Sequence, residues 1–156
     1  HKTEVSGLMS GSIEVKQEIR FVQERYERQR LGCVYIKSLD VGIKVEPTVF
    51  IAREHPKGTC MHSAVMAHEM KHVREDQLIV NKYTNIIKNA LSQEMAKVGE
   101  FGPYNIHQLA VIQTNLQNQF NTVLKKYNDA MNNERRRRQQ AIDTLEEYES
   151  IGKRCR

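Results

Sequence analysis

The pattern of apolar and polar positions divides the chain into four stretches. In the first stretch, residues 13–30, apolar residues recur three or four positions apart among charged and amide side chains: Val15, Ile19, Val22 and Tyr26. That spacing is typical of one face of an amphipathic helix, and Ser12 and Gly32 suit its two ends. The sequence therefore predicts an N-terminal helix over residues 13–30, preceded by a flexible tail over residues 1–12.

The second stretch, from Cys33 to Arg53, has a different composition. It is rich in Val and Ile and contains Tyr and Phe, a composition typical of strands. Asp40–Gly42 and Glu46–Pro47 interrupt it with turn-forming residues. We expect two or three short strands in a small, mainly antiparallel sheet, the last of them at Thr48–Arg53.

Two long helical stretches complete the pattern. The first runs from about Cys60 to Val98, where Gly99 and Gly102–Pro103 end it. The second runs from about Tyr104 to Ser150 and has two rows of residues seven positions apart: Phe120, Tyr127, Glu134, Ala141 and Tyr148, and Leu124, Met131, Arg138 and Leu145. Such rows indicate a helix packed along another helix, and a short connection favours an antiparallel pair. The predicted fold is α+β: an N-terminal helix, a small sheet and a long antiparallel helical hairpin, in one domain over residues 13–156.

The first long helix contains the sequence His68-Glu69-Met70-Lys71-His72, which is the motif H-E-x-x-H. Residues four apart lie on one face of a helix, so His68 and His72 can bind one metal ion together. Zinc (Zn2+) is the metal that such a pair typically binds, and the glutamate then acts as general base. The composition gives a chance occurrence odds of roughly one in fifty. The motif therefore predicts a zinc site with Glu69 as the catalytic residue.

A catalytic zinc site usually has three protein ligands, and we expect Glu134 to be the third. In an antiparallel hairpin that turns at Phe101, the motif faces residues near position 132. Glu134 also occupies an apolar row, where a carboxylate is costly unless it is paired or bound to metal. Asp129 is the alternative ligand, and an ion pair with a neighbouring arginine is the alternative role of Glu134. Asp76 is expected to support the site without binding the metal.

Composition narrows the class of protein. The 156 residues are 28% charged and 39% hydrophobic, with a net charge of +5 and a pI of about 9.2. No stretch is long and apolar enough to cross a membrane. Arg135–Arg138 has no interleaved aromatic residues, so it is interpreted as a solvated helix face and nucleic acid is not an expected partner.

The cysteines and the start of the chain bear on its location. Cys33, Cys60 and Cys155 lie at predicted element boundaries, which fits one disulfide and one free thiol, with the pairing left open. A disulfide indicates an oxidising compartment, and a start at His1 is what removal of a signal peptide would leave. We therefore expect a secreted or periplasmic protein.

With the motif at residues 68–72 and a glutamate on the next helix, the chain resembles the gluzincin class of zinc metallopeptidases. Asn133-Glu134 resembles the segment with the third ligand in several gluzincins. The chain is also similar to a family of predicted secreted bacterial zinc-dependent proteases. Its segment Tyr127–Ala130 is similar to a Tyr-Asp motif of that family, and that alignment would make Asp129 the third ligand.

These resemblances imply zinc-dependent hydrolysis of a protein or peptide substrate. Glu69 would act first as general base and then as general acid. Thr48–Arg53 would hold an extended substrate by main-chain pairing. The group that stabilises the oxyanion is expected among Tyr127, Tyr148 and His55.

A second hypothesis comes from a different class. The chain would be a helical-hairpin interaction or polyanion-binding protein, in which the histidines are incidental or bind a metal without catalysis. It predicts binding that weakens with salt and with replacement of Arg135–Arg138. The sequence leaves the oligomeric state and the substrate open.

Overall fold

The computed structural model describes residues 6–98 and 101–156. Its strands are β1 (Gly7–Ser10), β2 (Ile13–Tyr26), β3 (Leu31–Val45), β4 (Thr48–Ile51) and β5 (Phe101–Asn105). Its helices are α1 (Cys60–Lys97), a short 3-10 helix (Ile106–Gln108), α2 (Leu109–Ile142) and α3 (Leu145–Arg154). The prediction of an α+β protein with small antiparallel sheets and long helices is confirmed.

The strands form two sheets. β1 and β4 are antiparallel, with Gly7 opposite Ile51 and Ser10 opposite Thr48. β2, β3 and β5 form a three-stranded sheet in that order, and β5 is antiparallel to β3. The turn between β2 and β3 contains Arg30 in the left-handed region, with a φ of 54°.

The chain divides into two compact units, although the sequence predicted one domain from residue 13 onward. The first unit contains Lys44–Lys82, Met131–Arg156 and the described residues up to Glu14. The second unit contains Val15–Ile43 and Tyr83–Ala130. Both long helices contribute residues to each unit.

Each unit has its own hydrophobic cluster. In the first unit, Ala64, Val65 and Ile151 are buried, and the disulfide Cys60–Cys155 lies beside them. The second unit has a cluster of strand and helix residues: Val34, Leu109 and Leu116, with Phe21, Val98, Phe101, Ile106 and Ile112 packed against them. Cys33 is free, which confirms the expectation of one disulfide and one free thiol. Among the described helices, none has the length and apolar character needed to cross a membrane.

The predicted N-terminal helix over residues 13–30 is wrong, because this stretch forms strand β2 and the turn that follows it. From Ile13 to Phe21, partly buried and exposed side chains strictly alternate, which is the period of a strand. Val15 and Ile19 are four positions apart, and that distance fits a helix face and a strand face equally well. Phe21, which the helical pattern omits, packs against the core of the second unit.

The predicted flexible tail over residues 1–12 is wrong for its described part. β1 pairs with β4, and the N–H of Ala52 donates to the carbonyl of Ser6 at 2.9 Å. The Gly- and Ser-rich composition does not itself favour a strand. The strand forms because it pairs with β4. The rest of the predicted tail, residues 1–5, lies outside the described residues.

Two further boundaries differ from the prediction. β3 is one strand of 15 residues, which Asp40–Gly42 does not interrupt. The last predicted helix begins later, at Leu109, because Phe101–Asn105 pairs with β3, and it ends at Ile142 rather than Ser150. The predicted extent of α1 is confirmed to within a residue, although its expected stop at Gly99 lies outside the described residues.

Candidate metal centre

The H-E-x-x-H motif lies on α1 within the first unit. His68, Glu69 and His72 are only 3%, 5% and 6% exposed. The helix begins after Thr59, whose Oγ1 accepts from the N–H of His62 at 3.2 Å and so caps the helix. The helix face with the motif is therefore turned into the unit, as a metal site requires.

Asp143 completes a group of three side chains that could hold a metal ion. Its Oδ1 lies 3.3 Å from His68 Nε2 and 3.1 Å from His72 Nε2. The three ligand atoms all lie within 4.8 Å of one another. In a tetrahedral zinc site with bonds of about 2.0–2.1 Å, neighbouring ligand atoms are about 3.3 Å apart. Both distances from Asp143 fit that geometry.

The contacts around the ring nitrogens of His68 and His72 also suit a bound metal ion. His68 Nε2 is buried without a hydrogen-bond partner among the described residues, which is unusual for a polar atom unless something binds it. His68 Nδ1 lies 3.5 Å from Glu147 Oε1, and His72 Nδ1 contacts Gln139 Oε1. With a metal ion between the Nε2 atoms and Asp143, each Nδ1 would keep its proton and donate it to the acceptor beside it.

Asp143 reaches the histidines because the helix breaks. α2 ends at Ile142, and Thr144 caps the new helix α3 by accepting from the N–H of Glu147 at 3.2 Å. α3 also provides Tyr148, whose hydroxyl donates to Asp143 Oδ1 at 3.1 Å. Asp143 was not among the predicted ligands, because the rows of residues seven positions apart indicate one helix as far as Ser150. The pattern Thr144-Leu-Glu-Glu147, a capping box, was the signal that could have found this break.

Glu134 does not lie in this group. Its carboxylate forms ion pairs with Lys82 Nζ and Arg138 Nη2, each at 2.7 Å. This is the role that the sequence analysis gave as the alternative. The predicted register fails because β5 and the 3-10 helix occupy residues 101–108, so α2 begins late and Glu134 faces Lys82 rather than the motif. Asp129 belongs to the second unit, where it pairs with Lys125 at 2.6 Å.

Ion pairs engage two of the four arginines in the run. Arg135 pairs with Asp76 at 2.7 Å, and Asp76 is fully buried. Arg138 pairs with Glu134 and with Glu75 at 3.1 Å. These pairs neutralise part of the positive charge. The helix therefore has less free positive charge to attract a polyanion than its sequence suggested.

Two of the candidate ligands, His72 and Asp143, line a pocket of about 390 Å³ in the first unit. Its lining residues come from β1, α1, α2 and α3: Gly7, Leu8, Met9, Glu69, His72, Arg135, Gln139, Asp143 and Tyr148. Burial raises the pKa of Glu69, although the nearby histidines and a hydrogen bond from the main chain of Met9 oppose that effect. Burial also raises the pKa of Tyr148, so its phenol stays protonated.

Gly7 lets β1 approach α1 closely. A Cβ at this position would lie 2.5 Å from Val65 Cγ1 and 2.7 Å from Glu69 Oε1. The bond from Ala52 to Ser6 places residues 6, 8 and 10 in the hydrogen-bonded pairs with β4, so the main-chain groups of Gly7 and Met9 point to the other edge. The strand beside the pocket is therefore β1, and not the predicted segment Thr48–Arg53.

Comparisons of the chain with models of known protein families, with curated proteins and with solved structures found no match. The functional argument rests on the chemistry of the residues around His68, His72 and Asp143.

Proposed function

We propose that the chain is a zinc-dependent peptide hydrolase whose metal ion is held by His68, His72 and Asp143. The main support is the position of Asp143 Oδ1, 3.3 and 3.1 Å from two Nε2 atoms, one of them buried without a hydrogen-bond partner among the described residues. Two histidines and a carboxylate also suit ferrous iron. Glu69, beside His68 in the general-base position of the motif, favours zinc and hydrolysis.

When bound, zinc lowers the pKa of a water molecule and polarises the carbonyl group to be cleaved. Glu69 lines the same pocket as His72 and Asp143, so it can take a proton from a water there and pass it to the leaving amine. Its raised pKa brings the carboxyl closer to neutral pH, where proton transfer in both directions is efficient. The N–H of Met9 helps to hold the carboxylate in place.

β1 supplies a place for an extended substrate. The main-chain groups of Gly7 and Met9 that point away from β4 lie on the side of Glu69, and both residues line the pocket. An extended peptide can pair with such an edge by main-chain hydrogen bonds. Among the three candidates for stabilising the oxyanion, the contacts favour Tyr148, which lines the pocket and donates to Asp143.

The proposed architecture is an antiparallel hairpin of α1 and α2, as in a minimal gluzincin-like core. Contacts within the first unit support it, because the α2 partner numbers fall as the α1 numbers rise: His72 with Gln139, Asp76 with Arg135, and Lys82 with Glu134. A gluzincin has glutamate as its third ligand, whereas the contacts here favour an aspartate. The disulfide Cys60–Cys155 supports the proposed secreted or periplasmic location.

The test compares metal content and turnover. Wild type and Glu69→Gln are purified without added metal, analysed by mass spectrometry for bound metals, and assayed on a mixture of fluorogenic peptides. We expect about one zinc per chain in both proteins and peptide cleavage only by wild type, because the amide cannot accept a proton.

Glu94→Gln serves as the matched control, because Glu94 lies on the same helix within the second unit, and it should keep both properties. Cleavage by Glu69→Gln, or a wild type that takes up no zinc, would reject the proposed function. If the wild type contains iron instead of zinc, the proposed function changes to the chemistry of a histidine–carboxylate iron site.

A further inference from the structure

Three side chains behind His72 form a continuous hydrogen-bonded chain that the proposed catalysis does not use. Asp76 is fully buried and accepts from Arg135 Nε and Nη2, both at 2.7 Å. Gln139 Nε2 donates to Asp76 Oδ1 at 2.7 Å and to the main-chain carbonyl of His72 at 3.0 Å. Gln139 Oε1 contacts His72 Nδ1. The chain therefore runs from a guanidinium to the ring of a candidate metal ligand.

Donor and acceptor roles are determined at every step of this chain. A guanidinium only donates, so the Asp76 carboxylate that faces it is an acceptor. Both groups that face the nitrogen of Gln139 accept, which assigns the orientation of its amide and directs its oxygen at His72. That oxygen only accepts, so it favours a proton on His72 Nδ1. Asp143 Oδ1, 3.1 Å from His72 Nε2, is a second acceptor on the ring, and a metal ion bound between these two atoms would leave Nδ1 as the protonated nitrogen.

We infer that Arg135, Asp76 and Gln139 are positioning residues, which hold a proton on His72 Nδ1 and so leave its Nε2 to bind a metal ion shared with Asp143. The inference rests on the proposed metal site for its purpose. The position of the ring proton in the zinc-loaded protein and the affinity for zinc can both be measured without turnover.

Arg135 has a second contact that adds to this role. Its Nη2 also donates to the main-chain carbonyl of Gly11 at 2.7 Å. Gly11 directly follows β1, the strand beside the pocket. One guanidinium thus stabilises both the orientation of His72 and the end of the strand that contacts Glu69.

The first test removes the amide. The tautomer of His72 is read from the nitrogen chemical shifts of its ring by NMR on zinc-loaded protein, and zinc affinity is measured by competition with a chelator. In wild type we expect the proton on Nδ1. In Gln139→Leu we expect a loss of zinc affinity of about 10- to 100-fold, the usual effect of losing a partner of a metal ligand.

Gln140→Leu is the matched control, because Gln140 is the exposed next residue and should change neither quantity. A wild type with the proton on Nε2 would overturn the inference. So would a Gln139→Leu protein that keeps the wild-type affinity.

A rescue variant separates positioning from a merely structural role. In Asp76→Asn/Gln139→Glu the carboxylate and the amide exchange places, so a carboxylate accepts from His72 Nδ1 and the amide at position 76 bridges it to Arg135. We expect the wild-type tautomer and a zinc affinity above that of Gln139→Leu in this variant, because His72 Nδ1 regains an acceptor although its main-chain carbonyl loses a donor. Gln139→Glu alone should not restore zinc affinity to the wild-type value, because it puts two carboxylates side by side.

The rescue variant also decides the matter if Gln139→Leu fails to fold. A folded double variant with a changed tautomer would then overturn the inference. Peptidase activity enters neither measurement, so a protein without turnover would reject the proposed function and leave this inference standing.

Discussion

At the residue scale, the chemistry of the motif depends on which carboxylate joins the two histidines. Glu134 satisfied two arguments from the sequence, register and burial, and it is indeed nearly buried, at 9% exposed. Its burial is compensated by two cations rather than by a metal ion. The residues of the motif were predictable because their spacing is local in sequence, whereas the candidate third ligand, Asp143, depends on a helix end that the heptad pattern conceals.

This assignment predicts different outcomes for two alanine variants. Asp143→Ala should lose nearly all bound zinc, because two histidines alone hold the ion weakly. Glu134→Ala should keep its zinc and lose about 1 kcal/mol of unfolding free energy, since its partners are partly exposed. Metal analysis and urea titration of both proteins test this. If Glu134→Ala loses its zinc while Asp143→Ala keeps it, Glu134 is the third ligand instead of Asp143.

The pH dependence of stability follows from Glu69. Burial raises the pKa of Glu69 above its ordinary value of 4.5 in the folded protein. The protonated form therefore favours folding: its contribution is fully present below pH 4.5 and is lost as the pH rises through the folded-state pKa. In Glu69→Gln the side chain stays neutral, so the metal-free variant should gain stability relative to wild type as the pH rises from 4.5.

Urea unfolding of both proteins with a chelator, at several pH values, measures this difference. Glu94→Gln is the control of opposite sign, because a hydrogen bond from Gln119 and the nearby Lys97 lower the pKa of Glu94. The interpretation is wrong if the free energies of unfolding of wild type and Glu69→Gln differ by the same amount from pH 4 to 8.

At the element scale, α1 and β4 were predictable because each has one consistent signal along its length. β2 was not predictable, because Val15 and Ile19 fit the period of a helix as well as that of a strand. The alternation of Glu14, Lys16 and Glu18 with them is the weaker signal that indicates a strand. β1 was not predictable from its own composition, since its conformation depends on pairing with a strand some forty residues later. Local signals thus give the elements that contain the motif, and non-local pairing gives the strand beside it.

The two interpretations of residues 13–30 predict opposite rankings of two variants. In the strand, Phe21 packs into the core of the second unit, whereas Tyr26 is 49% exposed. Phe21→Ala should therefore cost about 2 kcal/mol of unfolding free energy, and Tyr26→Ala under about 1 kcal/mol. A helix with Tyr26 on its inner face would give the reverse order in thermal or urea unfolding.

At the scale of the whole molecule, the disulfide joins the first residue of α1 to the residue after α3. The residues between the two cysteines include both histidines and Asp143. α3 contributes Ile151 to the core of the first unit and Tyr148 to the pocket. The disulfide therefore stabilises the segment that holds the candidate third ligand in place.

Cys60→Ser/Cys155→Ser should destabilise the protein by about 2–5 kcal/mol, because the cross-link closes a long loop in the unfolded chain. It should also weaken zinc binding, since α3 loses a covalent attachment. Cys33→Ser removes the free thiol and should change neither property appreciably. Unfolding curves measure the stability and chelator competition measures the zinc affinity. If Cys33→Ser changes both as much as Cys60→Ser/Cys155→Ser does, the disulfide does not have this role.

The order of synthesis has a consequence for how the proposed metal site would be filled. Ala130 is the last residue of the second unit to be synthesised, and Asp143 follows it. His68 and His72 therefore leave the ribosome well before the carboxylate that completes their group, and an ion that arrives early finds only two ligands. Chains stalled just after residue 130 should bind zinc far more weakly than released chains. Loading then belongs to the same late stage as the oxidation of Cys60 with Cys155, after translation has passed the last ligand.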